Sequence, residues 1–112
     1  MDREQLEKLS REYSLLQEQI QSLAIQREQF LERKDEYKEA FKEIENASGK
    51  VYLAIGGAIV EVQKDYALKS IKEKEEVAEM RVSIVKKQYD ELVKKEQTLR
   101  NDINTGIKEL KG

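Results

Sequence analysis

The sequence predicts a mainly α-helical protein, in which two long helices pair as an antiparallel coiled coil with one β-hairpin between them. Three observations lead to this fold class. Charged residues are 39% and apolar residues 38% of the 112 residues, which leaves too little apolar material for a spherical core. Apolar residues recur at heptad spacing in both halves of the chain. Between the halves lies VYLAIGGAIVEV, residues 51–62, which is apolar and nearly free of charge.

Heptad spacing is the strongest of these signals. Alternating steps of three and four residues give ten apolar positions of twelve in the first half: Leu6, Leu9, Tyr13, Leu16, Ile20, Leu23, Arg27, Phe30, Lys34, Tyr37, Phe41 and Ile44. The same steps give ten of thirteen in the second half: Leu68, Ile71, Glu75, Ala78, Val82, Val85, Tyr89, Leu92, Glu96, Leu99, Ile103, Gly106 and Leu110. Each series is the seam of a coiled coil. Its regularity excludes intrinsic disorder, which the polar composition alone would allow.

The two helices are predicted to run antiparallel, because they have similar lengths and a short connection. Leu9 would then lie near Ile103. Two polar residues on the seam, Lys34 and Glu75, fall almost opposite one another. They either form an ion pair that fixes the register of the helices, or both reach out to solvent.

The connection between the helices has its own stop and start signals. Asn46, Ser48 and Gly49 favour the end of the first helix, and Asp65 is expected to be the N-cap of the second. We therefore divide this single domain into a first helix over residues 1–46, a hairpin over 50–63 and a second helix over 65–111.

The central segment is predicted to be a β-hairpin that joins subunits together. Gly56-Gly57 can adopt the positive φ angles of a two-residue turn. That turn puts six apolar residues on one face: Val51, Leu53, Ile55, Ala58, Val60 and Val62. A lone hairpin is barely stable in water, and its free edges attract further strands. We expect strands of other subunits to complete the sheet, because a narrow helix pair offers little surface to cover this face; the alternative is a hairpin folded back onto its own helices.

Several functions find no support in the composition. The chain has no His and no Cys, so we expect no catalytic residues, no metal ligands and no cofactor. Ser48-Gly49-Lys50 lacks the upstream Gly and the following Ser or Thr of a phosphate-binding loop. No apolar run approaches the roughly 20 residues that span a bilayer. The N-terminal MDREQLEKLS lacks the apolar core of a signal peptide, so we expect a cytoplasmic protein with no membrane partner.

The central segment and its flanks resemble the prefoldin family, and the resemblance covers nearly the whole chain. It is closest at Val51-Tyr52, Ile55-Gly56 and Val60, and then at Leu68 and KEKEEVAEMRV, residues 72–82. A single hairpin between the helices is similar to the β class of archaeal-type prefoldin subunits, since the α class has two hairpins. One departure is Gly56-Gly57, where a single Gly followed by a larger residue is expected.

The resemblance implies a co-chaperone that works without ATP. In prefoldins the hairpins form β-barrels that join two α-class and four β-class subunits into a hexamer. The tips of the coiled coils hold unfolded client proteins and pass them to a group II chaperonin. The candidate client contacts at the tip, near the chain termini, are Leu6, Leu9, Tyr13, Ile103, Ile107 and Leu110. Gly106 is expected to loosen the seam there; alternatively, these six residues only complete the seam.

Paired helical arms are also compatible with two other functions. Lys86, Lys87, Lys94 and Lys95 make a basic spot that nucleic acid could contact, but the chain has a net charge of −2 and acidic residues interleave the lysines. We therefore expect no nucleic-acid partner. The second alternative is a structural coiled-coil spacer that uses the barrel to organise rigid arms.

Overall fold

The computed structural model describes residues 1–111 of the chain. Its elements are helix α1 (Arg3–Asn46), strands β1 (Val51–Ile55) and β2 (Ala58–Val62), and helix α2 (Lys64–Lys111). The two strands form a two-stranded antiparallel sheet. Two long helices with a β-hairpin between them confirm the predicted fold class.

The chain forms two compact units. Among the described residues, the terminal unit contains Met1–Arg27 and residues 84–111. The hairpin unit contains Glu28–Ser83 and therefore includes both strands. Both helices contribute residues to both units.

In the terminal unit, the two helical segments run in opposite directions along a shared apolar seam. Leu16 and Val85 are buried, and the other aliphatic seam residues are half-buried or, at Leu110, exposed. Tyr13 contacts Glu96, and Leu6 lies beside Gly106 nearer the chain ends. This order of contacts confirms the antiparallel pairing that the heptads predict.

A capping box begins helix α1. The backbone N–H of Gln5 donates to Asp2 Oδ1 at 2.8 Å, and the backbone N–H of Asp2 donates to Gln5 Oε1 at 3.0 Å. These two bonds satisfy amide groups that have no partner within the helix. The negative charge of Asp2 also lies at the positive end of the helix dipole.

The hairpin unit has a seam of small and aromatic residues. Ala67, Ile71 and Ala78 of α2 are buried, and Phe30 and Phe41 of α1 are half-buried. Phe30 and Ala78 line the same groove, so a small residue of α2 lies beside a large ring of α1 there.

Neither alternative for Lys34 and Glu75 is correct, because they do not pair with each other and Glu75 is buried rather than extended into solvent. Lys34 Nζ lies 3.7 Å from Glu79 Oε1, and Glu75 pairs with Lys72 of its own helix at 3.8 Å. Side chains on a helix lean toward its N-terminus. In an antiparallel pair, this lean carries Lys34 toward later residues of α2, so it meets the carboxylate one turn beyond the predicted one.

The hairpin has the predicted register, with Val51 opposite Val62 and Ile55 opposite Ala58. Gly56 has a φ of 60°, whereas Gly57 is not among the residues with positive φ. One left-handed residue at the first turn position is typical of a type II′ turn. Only the first of the two glycines therefore uses the freedom that the sequence analysis assigned to both.

Lys64 organises the base of the hairpin. Its ammonium donates to the backbone oxygens of Glu45 at 2.8 Å and Ala47 at 3.1 Å, at the end of α1. Helix α2 begins at Lys64, and the N–H of Ala67 donates to the carbonyl of Gln63. Asp65 therefore lies inside the first turn and is not the N-cap that the sequence analysis expected; its charge still favours the helix dipole there.

Candidate functional site at the hairpin and the helix ends

The predicted oligomerisation face of the hairpin is covered at its base and open at its turn. Val51 is 7% exposed, and Leu53 and Val62 are half-buried. Toward the turn, Ile55 is 52% and Val60 is 41% exposed. The chain therefore covers only part of this face, and the uncovered part holds two large aliphatic side chains.

The opposite face of the hairpin carries Tyr52, Ala54 and Ile59 together with one charged residue, Glu61, and it is still more exposed. Ile59, opposite Ala54, is 79% exposed, and Tyr52, opposite Glu61, is 54% exposed. Each strand also has one edge without a partner, because the sheet has only two strands. No role was predicted for Tyr52 and Ile59, although their alternation with the predicted oligomerisation face places them together on the other side of the hairpin.

A polar cluster interrupts the apolar seam of the terminal unit. The hydroxyl of Tyr13 donates to Glu96 Oε1 at 2.8 Å and accepts from Gln17 Nε2 at 3.1 Å. Arg100 Nε lies 3.7 Å from the same Glu96 oxygen. The hydrogen bond to Glu96, with some desolvation, raises the pKa of the Tyr13 hydroxyl. Tyr13 is thus a predicted client contact whose polar end is already engaged within the chain.

Gly106 is a point of close packing, and the predicted loosening of the seam there is wrong. Gly106 is buried, and helix α2 continues past it to Lys111. A Cβ at this position would lie 2.6 Å from Met1 Sδ and 3.2 Å from Leu6 Cδ1. The missing side chain lets both residues approach the backbone of α2. The heptad series does not predict this contact of Met1, because Met1 precedes the first position of the series.

The six predicted client contacts differ in accessibility. Leu6, Leu9, Tyr13 and Ile103 are half-buried on the seam, and only Ile107, at 36%, and Leu110, at 49%, are classed as exposed. All six belong to the terminal unit. Their positions form one seam with two open apolar side chains near the end of α2.

Comparison with sequence models of known protein families identifies the relatives of this chain. The family model for prefoldin subunits matches residues 7–109. The chain belongs to the prefoldin family.

Individual relatives of this prefoldin are β-class subunits. The chain is 28% identical over 109 residues to the prefoldin subunit beta of Pyrobaculum calidifontis, covering 96% of this chain and 87% of that protein. It is 29% identical over 109 residues to the subunit of Pyrobaculum arsenaticum, covering 96% and 88%. These relatives support a β-class prefoldin subunit, as the single hairpin predicts.

Solved structures agree with this assignment. The crystal structure of the prefoldin beta subunit from Thermococcus strain KS-1 superposes with a TM-score of 0.83 at 29% identity, covering 91% of each chain. The beta2 subunit from the same strain gives a TM-score of 0.71 at 21% identity, covering 80% of this chain and 97% of that one. The second likeness shows the fold alone.

Membership of the prefoldin family supports a co-chaperone role and implies assembly with other prefoldin subunits. Prefoldin is a non-enzymatic chaperone family, which is consistent with a subunit that is not an enzyme. Within residues 1–111, no three or more acidic residues gather in a way that could hold a metal ion. No helix in the same range is both long enough and apolar enough to cross a lipid bilayer.

Proposed function

We propose that this chain is a subunit of a cytoplasmic, ATP-independent co-chaperone that holds unfolded polypeptides and delivers them to a group II chaperonin. The proposed assembly is a hexamer with two α-class and four β-class subunits, of which this chain is a β-class member. The observation that carries the proposal is an apolar hairpin, exposed on both faces, in a chain of the prefoldin family.

Assembly is the first step, and the hairpin is the element that drives it. Ile55 and Val60 leave about half of their surface in water in the single chain. Strands of neighbouring subunits would cover these side chains and would also pair with the two free edges. We therefore assign the face of Val51, Leu53, Ile55, Ala58, Val60 and Val62 to the intersubunit β-barrel.

Client binding is the second step, and we place it in the terminal unit. Ile107 and Leu110 offer apolar surface without any rearrangement of the chain. Leu6, Leu9, Tyr13 and Ile103 would add to that surface only where the seam opens. A few exposed aliphatic side chains bind a client weakly, but several subunits that act together raise the overall affinity by orders of magnitude.

Two variants test the client site. The first lacks residues 1–9 and 104–112, and the second carries Ile107→Ser with Leu110→Ser. Both should keep the number of subunits in the assembly but lose the ability to suppress aggregation of a test protein diluted from denaturant. A control with Ile25→Ser and Ile84→Ser removes two other exposed aliphatic side chains of the terminal unit.

The outcomes of this experiment distinguish client binding at the helix ends from a structural spacer that binds no client. Normal suppression by the variant with serines at 107 and 110 would refute these contacts, and normal suppression by the truncated chain would refute the tip model altogether. A structural spacer would give no suppression even for the wild-type chain. If the control loses as much as the tip variants, the activity reflects general surface hydrophobicity.

Nucleic acid is a weaker candidate partner on charge. Lys94 and Lys95 line a groove of the terminal unit together with the carboxylates of Glu12, Glu91 and Asp102. Negative charges thus accompany the lysines in space as well as in sequence. A phosphate backbone favours an uninterrupted basic stripe, so we do not propose this function.

A further inference from the structure

The hairpin unit has a groove that the proposed function does not use. Its volume is about 390 Å³. Six of its lining residues carry the argument: Phe30, Arg33 and Tyr37 from α1, and Lys74, Val77 and Arg81 from α2. We propose that this groove, named here the arginine groove, docks an acidic peptide segment that carries an aliphatic side chain.

Two guanidinium groups at one aromatic ring define the centre of the arginine groove. The Cζ atom of Arg33 lies 6.0 Å from the centroid of the Phe30 ring, and that of Arg81 lies 5.6 Å from it. Arg33 comes from the same helix as the ring, and Arg81 comes from the other helix. Cation–π attraction holds both groups near the ring, so less side-chain entropy is lost when a partner binds them.

Neither guanidinium has a carboxylate partner in residues 1–111. The ion pairs of these residues use other cations, namely Lys34, Lys72, Arg100 and the Met1 amino group. A guanidinium presents a planar fork of N–H donors that matches a carboxylate with two parallel hydrogen bonds. Arg33 and Arg81 therefore offer two such forks, both exposed to solvent, on one side of the hairpin unit.

The charge of the arginine groove is opposite to that of the chain. Arg33, Lys74 and Arg81 line it with one acidic residue, Glu73, whereas the whole chain has a net charge of −2. A groove of the terminal unit has the reverse balance, because Lys94 and Lys95 share it with the carboxylates of Glu12, Glu91 and Asp102. Positive charge is thus concentrated at the arginine groove, where it would attract carboxylates.

The remaining lining of the arginine groove is apolar. Val77 is exposed, and the half-buried rings of Phe30 and Tyr37 lie on the opposite helix. An aliphatic side chain of the partner would cover Val77 and the ring surfaces, while flanking carboxylates reach Arg33 and Arg81. The apolar part of the lining selects a peptide over a nucleic acid, which carries phosphates but no aliphatic side chain to cover Val77.

The test uses the full-length protein as purified and a short fluorescein-labelled peptide in which Glu and Asp flank a central Leu. Fluorescence anisotropy measures its Kd for the wild-type protein and for the variant Arg33→Gln with Arg81→Gln. We expect the Kd to rise by about tenfold or more in the variant, because two charge-assisted interactions are lost. A control variant, Lys38→Gln with Lys42→Gln, removes equal charge from exposed residues of the same unit and should change the Kd by less than about twofold.

Further probes decide the chemistry of the partner. A peptide with the acidic residues replaced by Lys, and one with Gly in place of the central Leu, should both bind the wild-type protein more weakly. The proposal is overturned if the acidic peptide does not bind, or if the arginine and lysine variants lose affinity equally. It is also overturned if a single-stranded oligonucleotide competes fully with the peptide through the same arginines. The chain without residues 1–9 and 104–112 should still bind the peptide, which separates this site from the client site.

Discussion

Two single variants, each with Asp at one of two neighbouring positions, test which face of the hairpin forms the intersubunit β-barrel. Val60 lies on the face assigned to the β-barrel, and Ile59 lies on the opposite face of the same strand. We expect Val60→Asp to dissociate the assembly while both helices remain folded. Ile59→Asp should leave the assembly intact, although it introduces the same charge one residue away.

The expected size of the Val60→Asp effect follows from the exposure of the side chain. Val60 is 41% exposed in the single chain, and full burial of an aliphatic side chain stabilises by about 1.5–3 kcal/mol. Assembly would then gain about 0.6–1.2 kcal/mol from Val60 in each subunit. A carboxylate buried without a partner costs several kcal/mol more, and each 1.4 kcal/mol is a factor of ten in the dissociation constant. The desolvation cost therefore dominates, and it applies again in every subunit that carries the change.

Native mass and helicity are the two measurements. Light scattering or native mass spectrometry should show a lower mass for Val60→Asp, and far-UV circular dichroism should show unchanged helix content. Val60→Ala, which removes contact area without adding charge, should weaken assembly only slightly. Dissociation by Ile59→Asp with an intact Val60→Asp assembly would show that the interface uses the opposite face. Unchanged mass in both variants would refute the role of the hairpin in assembly.

Two further predictions concern the terminal unit. Gly106→Ala should raise the midpoint of thermal unfolding by a few degrees, because Ala in a helix is about 1 kcal/mol more favourable than Gly. The new methyl group would displace only the exposed, flexible side chain of Met1 and move Leu6 slightly. A lower midpoint, measured by circular dichroism, would mean that these two side chains cannot move aside. The raised pKa of Tyr13 means that the folded state favours its neutral hydroxyl, so this contribution to stability should be complete below the ordinary pKa of 10.0 and be lost as the pH rises through the folded-state value. An ultraviolet titration, with Tyr13→Phe to identify the signal, should show this pKa falling toward the ordinary value in Glu96→Gln, and an unchanged pKa would contradict the role of the Glu96 hydrogen bond.

The seam of the coiled coil was predictable from spacing alone. Lys34, Glu75 and Glu96 are polar, yet all three are half-buried or buried at the positions where the heptad places them. Spacing decides which side of the helix a residue occupies, whatever its chemistry. The partners of these residues were not predictable, because they depend on how far each long side chain leans along the helix: Lys34 reaches Glu79, and Glu96 binds the hydroxyl of Tyr13.

The register of the hairpin follows from its turn, but the sequence alone did not fix the turn position, and it did not predict exposure. With the turn at Gly56-Gly57 every pair of opposite residues is determined, and the structure has this register, with Val51 opposite Val62. Alternation along a strand assigns Val51 and Ile55 to the same face. This alternation does not tell how far along the strand a residue lies from the helices. Val51, at the base of the hairpin, is buried, whereas Ile55, next to the turn, is half-exposed. The packing of Met1 against Gly106 was not predictable for a related reason. A glycine on the seam leaves space for a side chain of the other helix, but the sequence does not tell which side chain occupies that space.

The ammonium of Lys64 has a consequence for how the chain closes. A positive charge at the start of a helix opposes the dipole of that helix, whereas the same charge beside the last carbonyls of another helix is favourable. The ammonium of Lys64 would be unfavourable at the N-terminus of α2, but it hydrogen-bonds to the backbone oxygens of Glu45 and Ala47 and so caps the C-terminus of α1. Fraying at either of these two helix ends would break the same hydrogen bonds, so the end of α1 and the start of α2 are coupled within one chain, without any contribution from a second subunit.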